Sequence, residues 1–375
     1  MAFITLDKEK LQHNYRFLDA LFGSHNIQWA VVTKMLCGCR DYLKAALSLG
    51  MKQVCDSRIS HLKLIKEIRP EVETIYIKPP AFQTIPHVVA WADISCNTEF
   101  ETISMLSEEA VRQGKLHRII IMIELGELRE GVLRDDLVAF YEKVFKLPGI
   151  EVIGIGANLT CMYGVLPNHD KLIQLSLYKQ LIEARFNRRL PYVSGGASVT
   201  IPLIFENMLP AGINHFRVGE SLYLGTDVYH QGVLPGMAPD VFRMYAQIIE
   251  LNEKPMVPMG EKGLNLNGER IAFDRESHTA HSFRALLDVG LLDVAADHVF
   301  PINPDIKIVG ASSDMIVVDL GGNPGNLKVG DLIDFKMDYM GTLRLLHSPY
   351  VEKIMAHEVS EDRHLKACKI ASLGN

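Results

Sequence analysis

Two hydrophobic periods alternate along the first part of the chain. Short apolar runs bounded by turn residues predict buried strands over 28–32, 53–55, 74–77, 93–96, 118–123, 151–155, 192–194 and 214–218. Between them apolar residues recur every three or four positions, which predicts helices over 8–21, 41–49, 59–68, 82–90, 99–112, 135–145, 172–185 and 199–206. Strands alternating with helices imply a parallel sheet with crossover connections. Eight units over about 225 residues match a (β/α)8 TIM barrel in number and size. A doubly wound open sheet is the competing architecture. It usually has fewer units and often carries GxGxxG after its first strand, whereas this first strand runs into Thr33-Lys34-Met35-Leu36-Cys37-Gly38.

Beyond residue 226 helical periodicity largely stops. Turn clusters appear at 260–263, 265–268 and 321–325, with β-rich runs at 306–309, 315–320 and 332–335. The division this predicts is a barrel over 1–226 and a smaller all-β domain over 227–375, which the strand-like run 3–6 would join. A chain of 375 residues fits two domains. Hydrophobic residues at 48% and charged residues at 22% exclude a disordered chain. The net charge of −6 gives no footprint for nucleic acid or an anionic membrane. Six scattered cysteines, at 37, 39, 55, 96, 161 and 368, form no CxxC pair and no zinc spacing, so no metal is expected. With no signal-like N-terminus and no apolar run long enough to span a bilayer, the reading is cytoplasmic.

Catalytic groups of a TIM barrel sit at the C-terminal ends of its strands. Lys34 ends the first strand, where desolvation would depress its pKa and favour imine chemistry; a lysine reaching solvent is the plainer alternative. Arg129 follows the fifth strand and reads alone as a loop charge. Ser194-Gly195-Gly196-Ala197-Ser198 follows the seventh strand, where small residues at a helix start suit either an anion or a tight turn. Arg217-Val218-Gly219-Glu220 ends the eighth strand, so Arg217 is either a site residue or half of a structural ion pair. Ser313 and Asp314 precede an apolar strand in the second domain, and a turn is the simple reading.

Together these segments resemble the fold-type-III pyridoxal-phosphate enzymes typified by alanine racemase. The family's Val-Val-x-Lys is similar to Val31-Val32-Thr33-Lys34, and its Gly-Met-x-Arg-x-Gly to Gly126-Glu127-Leu128-Arg129-Glu130-Gly131. Its Arg-Pro-Gly-x-x-x-Tyr-Gly resembles the stretch from Arg217 to Gly225, and its Gly-x-x-x-Met-Asp the stretch from Gly310 to Asp314. Val32-Thr33-Lys34, Asn158-Leu159-Thr160-Cys161 and Asp288-Val289-Gly290-Leu291-Leu292-Asp293 resemble the ornithine racemase branch. The resemblance implies a racemase of a free amino acid, ornithine or another basic one, with pyridoxal 5'-phosphate as cofactor. Lys34 would hold that cofactor as a Schiff base and act as one catalytic base. Arg217 would donate to the pyridine nitrogen and Arg129 to the phenolic oxygen. The phosphate would lie near Ser194, Gly196, Ala197, Gly219 and Glu220, with Tyr350 and Asn158 as further cofactor contacts. Ser313 and Asp314, with Arg129, would face the substrate carboxylate across a head-to-tail homodimer.

The family pattern breaks at its second base. Leu291 stands where alanine racemase has its tyrosine, and Asn158 where it has the paired histidine. Candidates for the second base are His298, Asp293, Ser313 and Cys161, and Asp288, Asp293 and Asp314 could attract a cationic substrate side chain. Alanine or serine racemisation is one alternative. A pyridoxal-phosphate aldolase or decarboxylase, and a non-catalytic binding or homeostasis protein, are others. The aldolase reading would want metal ligands among His357, His364 and Cys368.

Overall fold

The computed structural model describes residues 2–264, 268, 270 and 280–359. His364 and Cys368, and residues 265–267 of one turn cluster, lie outside the described residues. The chain divides into two compact units, Glu9–Pro239 and a second made of Met1–Lys8 with Asp240–Asn375.

Every run expected as a barrel strand is one. After β1 (Phe3–Leu6), which belongs to the other unit, come β2 (Gln28–Val32), β3 (Gln53–Asp56), β4 (Glu73–Tyr76), β5 (Ile94–Asn97), β6 (His117–Met122), β7 (Ile150–Gly156), β8 (Tyr192–Ser194), β9 (Gly196–Ala197) and β10 (His215–Val218). They pair in the order β8-β7-β6-β5-β4-β3-β2-β10-β9. β8 and β9 are one strand of the barrel interrupted at Gly195; its first half pairs with β7 and its second with β10, so the sheet closes. Alternation puts every second side chain inside. Ala30, Val32, Cys55, Ile75, Ile94, Cys96, Ile120, Met122 and Ile153 form the apolar core there. Gly154 leaves the room that Tyr192 occupies, since a Cβ on it would lie 2.7 Å from the Tyr192 Cβ.

The helices fall where periodicity places them, and those expected over 82–90 and 199–206 start three residues later. Pro86 stands in the first turn of Ile85–Trp91 and Pro202 in that of Pro202–Phe205, where a missing N–H costs nothing, and 3-10 turns precede both. The barrel unit also extends past the expected boundary at 226/227. The hairpin β11 (Thr226–Asp227) and β12 (Gly232–Val233) leads back to the barrel, where the buried Asn14 bonds Leu222 O, Ala238 O and Ala238 N. Satisfying that buried amide ties the segment to the first helix.

In the second unit β1 lies between β13 (Phe242–Pro255), antiparallel, and β19 (Glu352–Met355), parallel. The strands between these are β14 (His281–Leu287), β15 (Val299–Pro301), β16 (Lys307–Ala311), β17 (Ile316–Asp319) and β18 (Leu332–Met337), in the order β15-β18-β13-β14-β17-β16. β13 shifts register between Ile248 and Glu250, and such a bulge breaks the two-residue alternation by which a strand is recognised. The expectation that helices stop after 226 is corrected by Tyr339–His347, capped by Asp338 through Gly341 N at 2.8 Å. Gly341 weakens that segment's helical propensity, but a Cβ there would sit 2.2 Å from His298 O. No helix among the described residues is long and apolar enough to cross a membrane.

Two outcomes test this packing. A Cβ at Gly196 would lie 2.2 Å from the fully buried ring of Phe216. Gly196→Ala is expected to lower unfolding free energy by about 1–3 kcal/mol in urea titrations, while Gly232→Ala, with nothing within 4 Å of its Cβ, stays within about 0.5 kcal/mol. His117 is buried on the outer face of β6 against Ser95 Oγ at 2.8 Å, and burial, then Lys115 and Arg118, pushes its pKa down to about 4. The unfolded chain takes up a proton below pH 6.5 that the folded chain refuses, so stability is lost as the pH falls from 6.5 toward 4. His117→Gln is expected to remove roughly 3 kcal/mol of that fall, read by urea titration across the same window.

Candidate active site

Arg217 is the third residue of β10 and is buried. Its Nη1 donates to Ser194 O at 2.8 Å and to Ser194 Oγ; its Nη2 donates to Ala157 O at 2.8 Å and Asn158 Oδ1 at 2.7 Å. An arginine has five N–H donors. Four of those of Arg217 are bound in this way, which leaves its Nε–H without an acceptor among the described residues. Asn158 passes the network on through Nδ2 to Glu130 Oε1 at 2.5 Å, and Glu130 pairs with Arg129. Burial raises the Glu130 carboxyl, but its bonds to Arg129 and Asn158 outweigh this and hold it below the usual range. The Glu130 bond in turn raises the pKa of Arg129, so Arg129 is a fixed cation. The structure thus joins Ser194, Asn158, Arg217 and Arg129 into one cluster at the strand ends.

Lys34 opens a short 3-10 turn, Lys34–Leu36, rather than ending the strand. It is exposed, in keeping with the plainer of the two readings, a lysine that reaches solvent. β2 stops at Val32, and the intervening Thr33 is buried: its hydroxyl lies 3.1 Å from Cys55 O and 2.9 Å from Asp56 Oδ2, to which it donates. The fully buried Asp56 also receives Arg58 N at 2.9 Å and faces His61 Nδ1 at 3.1 Å. The His61 ring fills the space left by Gly38 at positive φ. Asp56 and His61 therefore clamp both ends of the turn that carries Lys34, and neither was singled out by sequence.

The glycine-rich loops lie next to this turn. A Cβ on Gly219 would sit 3.0 Å from both Val32 O and Val32 Cβ, so the two segments approach closely there. Ser198 Oγ accepts from Ser221 N at 3.2 Å, which joins the loop after β8 to the helix Glu220–Leu224. Glu220 itself accepts from Thr226 Oγ1 at 3.4 Å. Ala197 N–H is directed to Thr200 Oγ1 at 3.2 Å, so that amide has a protein partner. The expected helix start is a 3-10 turn followed by four helical residues, a weaker dipole than a full helix supplies.

Glu127 was also not legible as a site residue. It is buried and collects backbone amides from Thr160, Cys161, Met162, Tyr163 and Val165 at 2.5–3.1 Å. Burial pushes its carboxyl up, but those amides outweigh this and hold its pKa down to about 2. The loop bearing Asn158 and Cys161 is thereby pinned to the loop bearing Arg129, with the exposed Cys161 beside the guanidinium.

In the second unit, the loop at Leu291 bonds the loop at Ser313: Leu291 N donates to Ser312 O at 2.9 Å and Leu292 N to Ser313 O at 3.0 Å. Ser313 Oγ donates to Asp314 Oδ2 at 2.6 Å, and both residues are exposed. Asp293 Oδ1 accepts from Ser348 Oγ at 2.5 Å. His298 Nδ1 meets Asp338 Oδ2 at 2.7 Å. Tyr350 is 79% exposed. No group of His, Cys, Asp and Glu among the described residues could hold a metal.

The alanine racemase N-terminal domain family matches residues 6–227. An ornithine racemase of Acetoanaerobium sticklandii is 37% identical over 93% of this chain and 98% of its own. A lysine racemase of Thermotoga maritima is 28% identical over 94% of this chain and 97% of its own. The structure of alanine racemase from Bartonella henselae with covalently bound pyridoxal phosphate superposes with a TM-score of 0.71, at 18% identity, over 94% of this chain and 99% of that one. A barrel unit with a lysine on the turn after its first strand and an arginine on its last, in a chain that also forms a β unit, therefore has its family: the chain belongs to the alanine racemase N-terminal domain family.

Proposed function

We propose that this chain is a pyridoxal 5'-phosphate-dependent racemase that interconverts the L and D forms of a free basic amino acid, ornithine or lysine. The arrangement of Arg217 carries the reading. With four of its N–H groups bound by the protein, it can offer only Nε–H, which suits an unprotonated pyridine nitrogen. The ornithine and lysine racemases among the relatives support a basic substrate.

Bound there, the cofactor supplies an electron sink that acidifies the Cα proton of an attached amino acid. Lys34 holds the cofactor and moves that proton on one face. Arg217 does not give up its own proton, so the nitrogen it faces stays an acceptor and the sink stays weak, which favours return of the proton over side reactions. Arg129, a cation fixed by Glu130, contacts the cofactor or substrate oxygens. Ser194, Gly196, Ala197, Gly219 and Glu220 border the phosphate, with Asn158 between Arg217 and Glu130. Ser313 and Asp314 serve the substrate carboxylate from a partner subunit in a head-to-tail homodimer, and Tyr350 is a further contact of the cofactor phosphate. His298 and Asp293 are the candidates for the second face. His298 is the better suited, because Asp338 orients its ring through Nδ1. Free thiols at Cys39, Cys55, Cys96 and Cys161 support a cytoplasmic location.

Incubating the cofactor-loaded protein with L-ornithine, L-lysine, L-arginine and L-alanine in heavy water tests this reading. NMR follows loss of the Cα proton and chiral chromatography follows the D isomer. Exchange with inversion is expected for ornithine or lysine, with a loss of at least about a thousandfold in Lys34→Ala. Exchange without inversion would remove the second base, and absence of both exchange and cofactor absorbance would overturn the assignment.

A further inference from the structure

Arg217 is not the end of its hydrogen-bond network. Ser194 Oγ accepts from Arg217 Nη1, and the same hydroxyl lies 2.6 Å from His215 Nδ1. A hydroxyl has one proton, so with the arginine donating to its oxygen, that proton goes to Nδ1. Nδ1 is then an acceptor, and the imidazole hydrogen sits on Nε2, 3.1 Å from Gln53 Oε1. The Gln53 amide nitrogen in turn donates to Glu73 Oε2 and to Tyr192 Oη at 3.1 Å. Glu73 closes the series against Arg118 Nη1 at 2.7 Å.

The placement follows from strand alternation. His215 and Arg217, Tyr192 and Ser194, and Gln53 and the core residue Cys55 are two apart on their strands and so share the inner face. Gln53, Glu73, Tyr192 and His215 are the first residues of β3, β4, β8 and β10. The series therefore runs inside the barrel from the strand ends that carry the site to the opposite end. It begins on one arginine, ends on another, and passes through one carboxylate.

We propose that His215, with Gln53 and Glu73 behind it, is a positioning residue for Arg217: this one-directional relay fixes the rotation of the guanidinium and so keeps Nε–H facing the cofactor site. The proposal rests on the racemase reading for its function, but not for its geometry. From Arg217 through Ser194, His215 and Gln53 to Glu73, each donor points away from Arg217, and the carboxylate ends the run by accepting from both sides. A protonated His215 would present N–H to Ser194 from one side while Arg217 presents N–H from the other, leaving the serine proton no acceptor there. The protein forbids this: burial, and then the Arg217 charge, push the His215 pKa down to about 3. A neutral imidazole is the one ring that accepts on one edge and donates on the other, as this place requires.

Long-range proton–nitrogen NMR of the full-length chain, with and without cofactor, tests the geometry. The His215 signal is identified by its absence from the His215→Gln spectrum. The expected result is the tautomer with hydrogen on Nε2, unchanged between pH 5 and 8. Hydrogen on Nδ1, or an imidazolium in that range, would overturn the relay whatever the enzyme does. The functional arm uses the cofactor-loaded protein. His215→Leu and Gln53→Met are each expected to lower kcat about tenfold and shift the absorbance of the bound cofactor, with KM for the amino acid changed less than about twofold. His215→Gln, which can still accept and donate, is expected to restore most of both. Normal kcat and absorbance in a folded His215→Leu would overturn the positioning role. Failure of the unmodified protein to bind cofactor or exchange protons would refute the racemase reading instead, and the tautomer alone would then decide the relay.

Discussion

A buried guanidinium can be kept only where acceptors converge on it, and Arg217 sets that requirement for the barrel mouth. An unpaired charge there would cost several kcal/mol. The requirement is met by two chain segments that are far apart in sequence: Ser194 at the end of β8, and Ala157 with its neighbour Asn158 just past β7. The ends of these strands are therefore fixed relative to one another by one planar group, which also holds Asn158 against Glu130 and so Arg129. That carboxylate thus lies between two guanidinium groups, paired with Arg129 directly and joined to Arg217 through Asn158.

The two faces of the strands divide the work. The inner face carries apolar residues at mid-height and a polar series that reaches Arg217. Behind the sheet, a buried carboxylate at the end of β3 secures the turn of Lys34 through Thr33 and His61. Glu127 does the same for the loop after β7, using five backbone amides in place of a cation. Such charge-assisted bonds are stronger than neutral ones and leave little freedom in the loops they hold. In the β unit the equivalent devices are smaller: Asp338 orients His298, and Ser348 holds Asp293.

The sequence by itself determined the eight barrel strands, the change of texture to a β unit and the chain positions of Lys34, Arg129, Ser194 and Arg217, because a period of two or of 3.6 and the punctuation between runs are local properties. It did not show the bulge in β13, which breaks that period, or the helix Tyr339–His347, whose Gly341 is dictated by a carbonyl from another segment. It placed the unit boundary at the change of texture, whereas the contacts of Asn14 carry the barrel unit to Pro239. Only the tertiary structure decided that Lys34 is exposed, that Asp56 and His61 hold its turn, that Glu127 and Glu130 hold the loops of Arg129 and Asn158, and that His215 joins Arg217 through Ser194. Those roles depend on which acceptors meet which donors once strands distant in sequence lie side by side, and no pattern along a single strand records the partner on its neighbour.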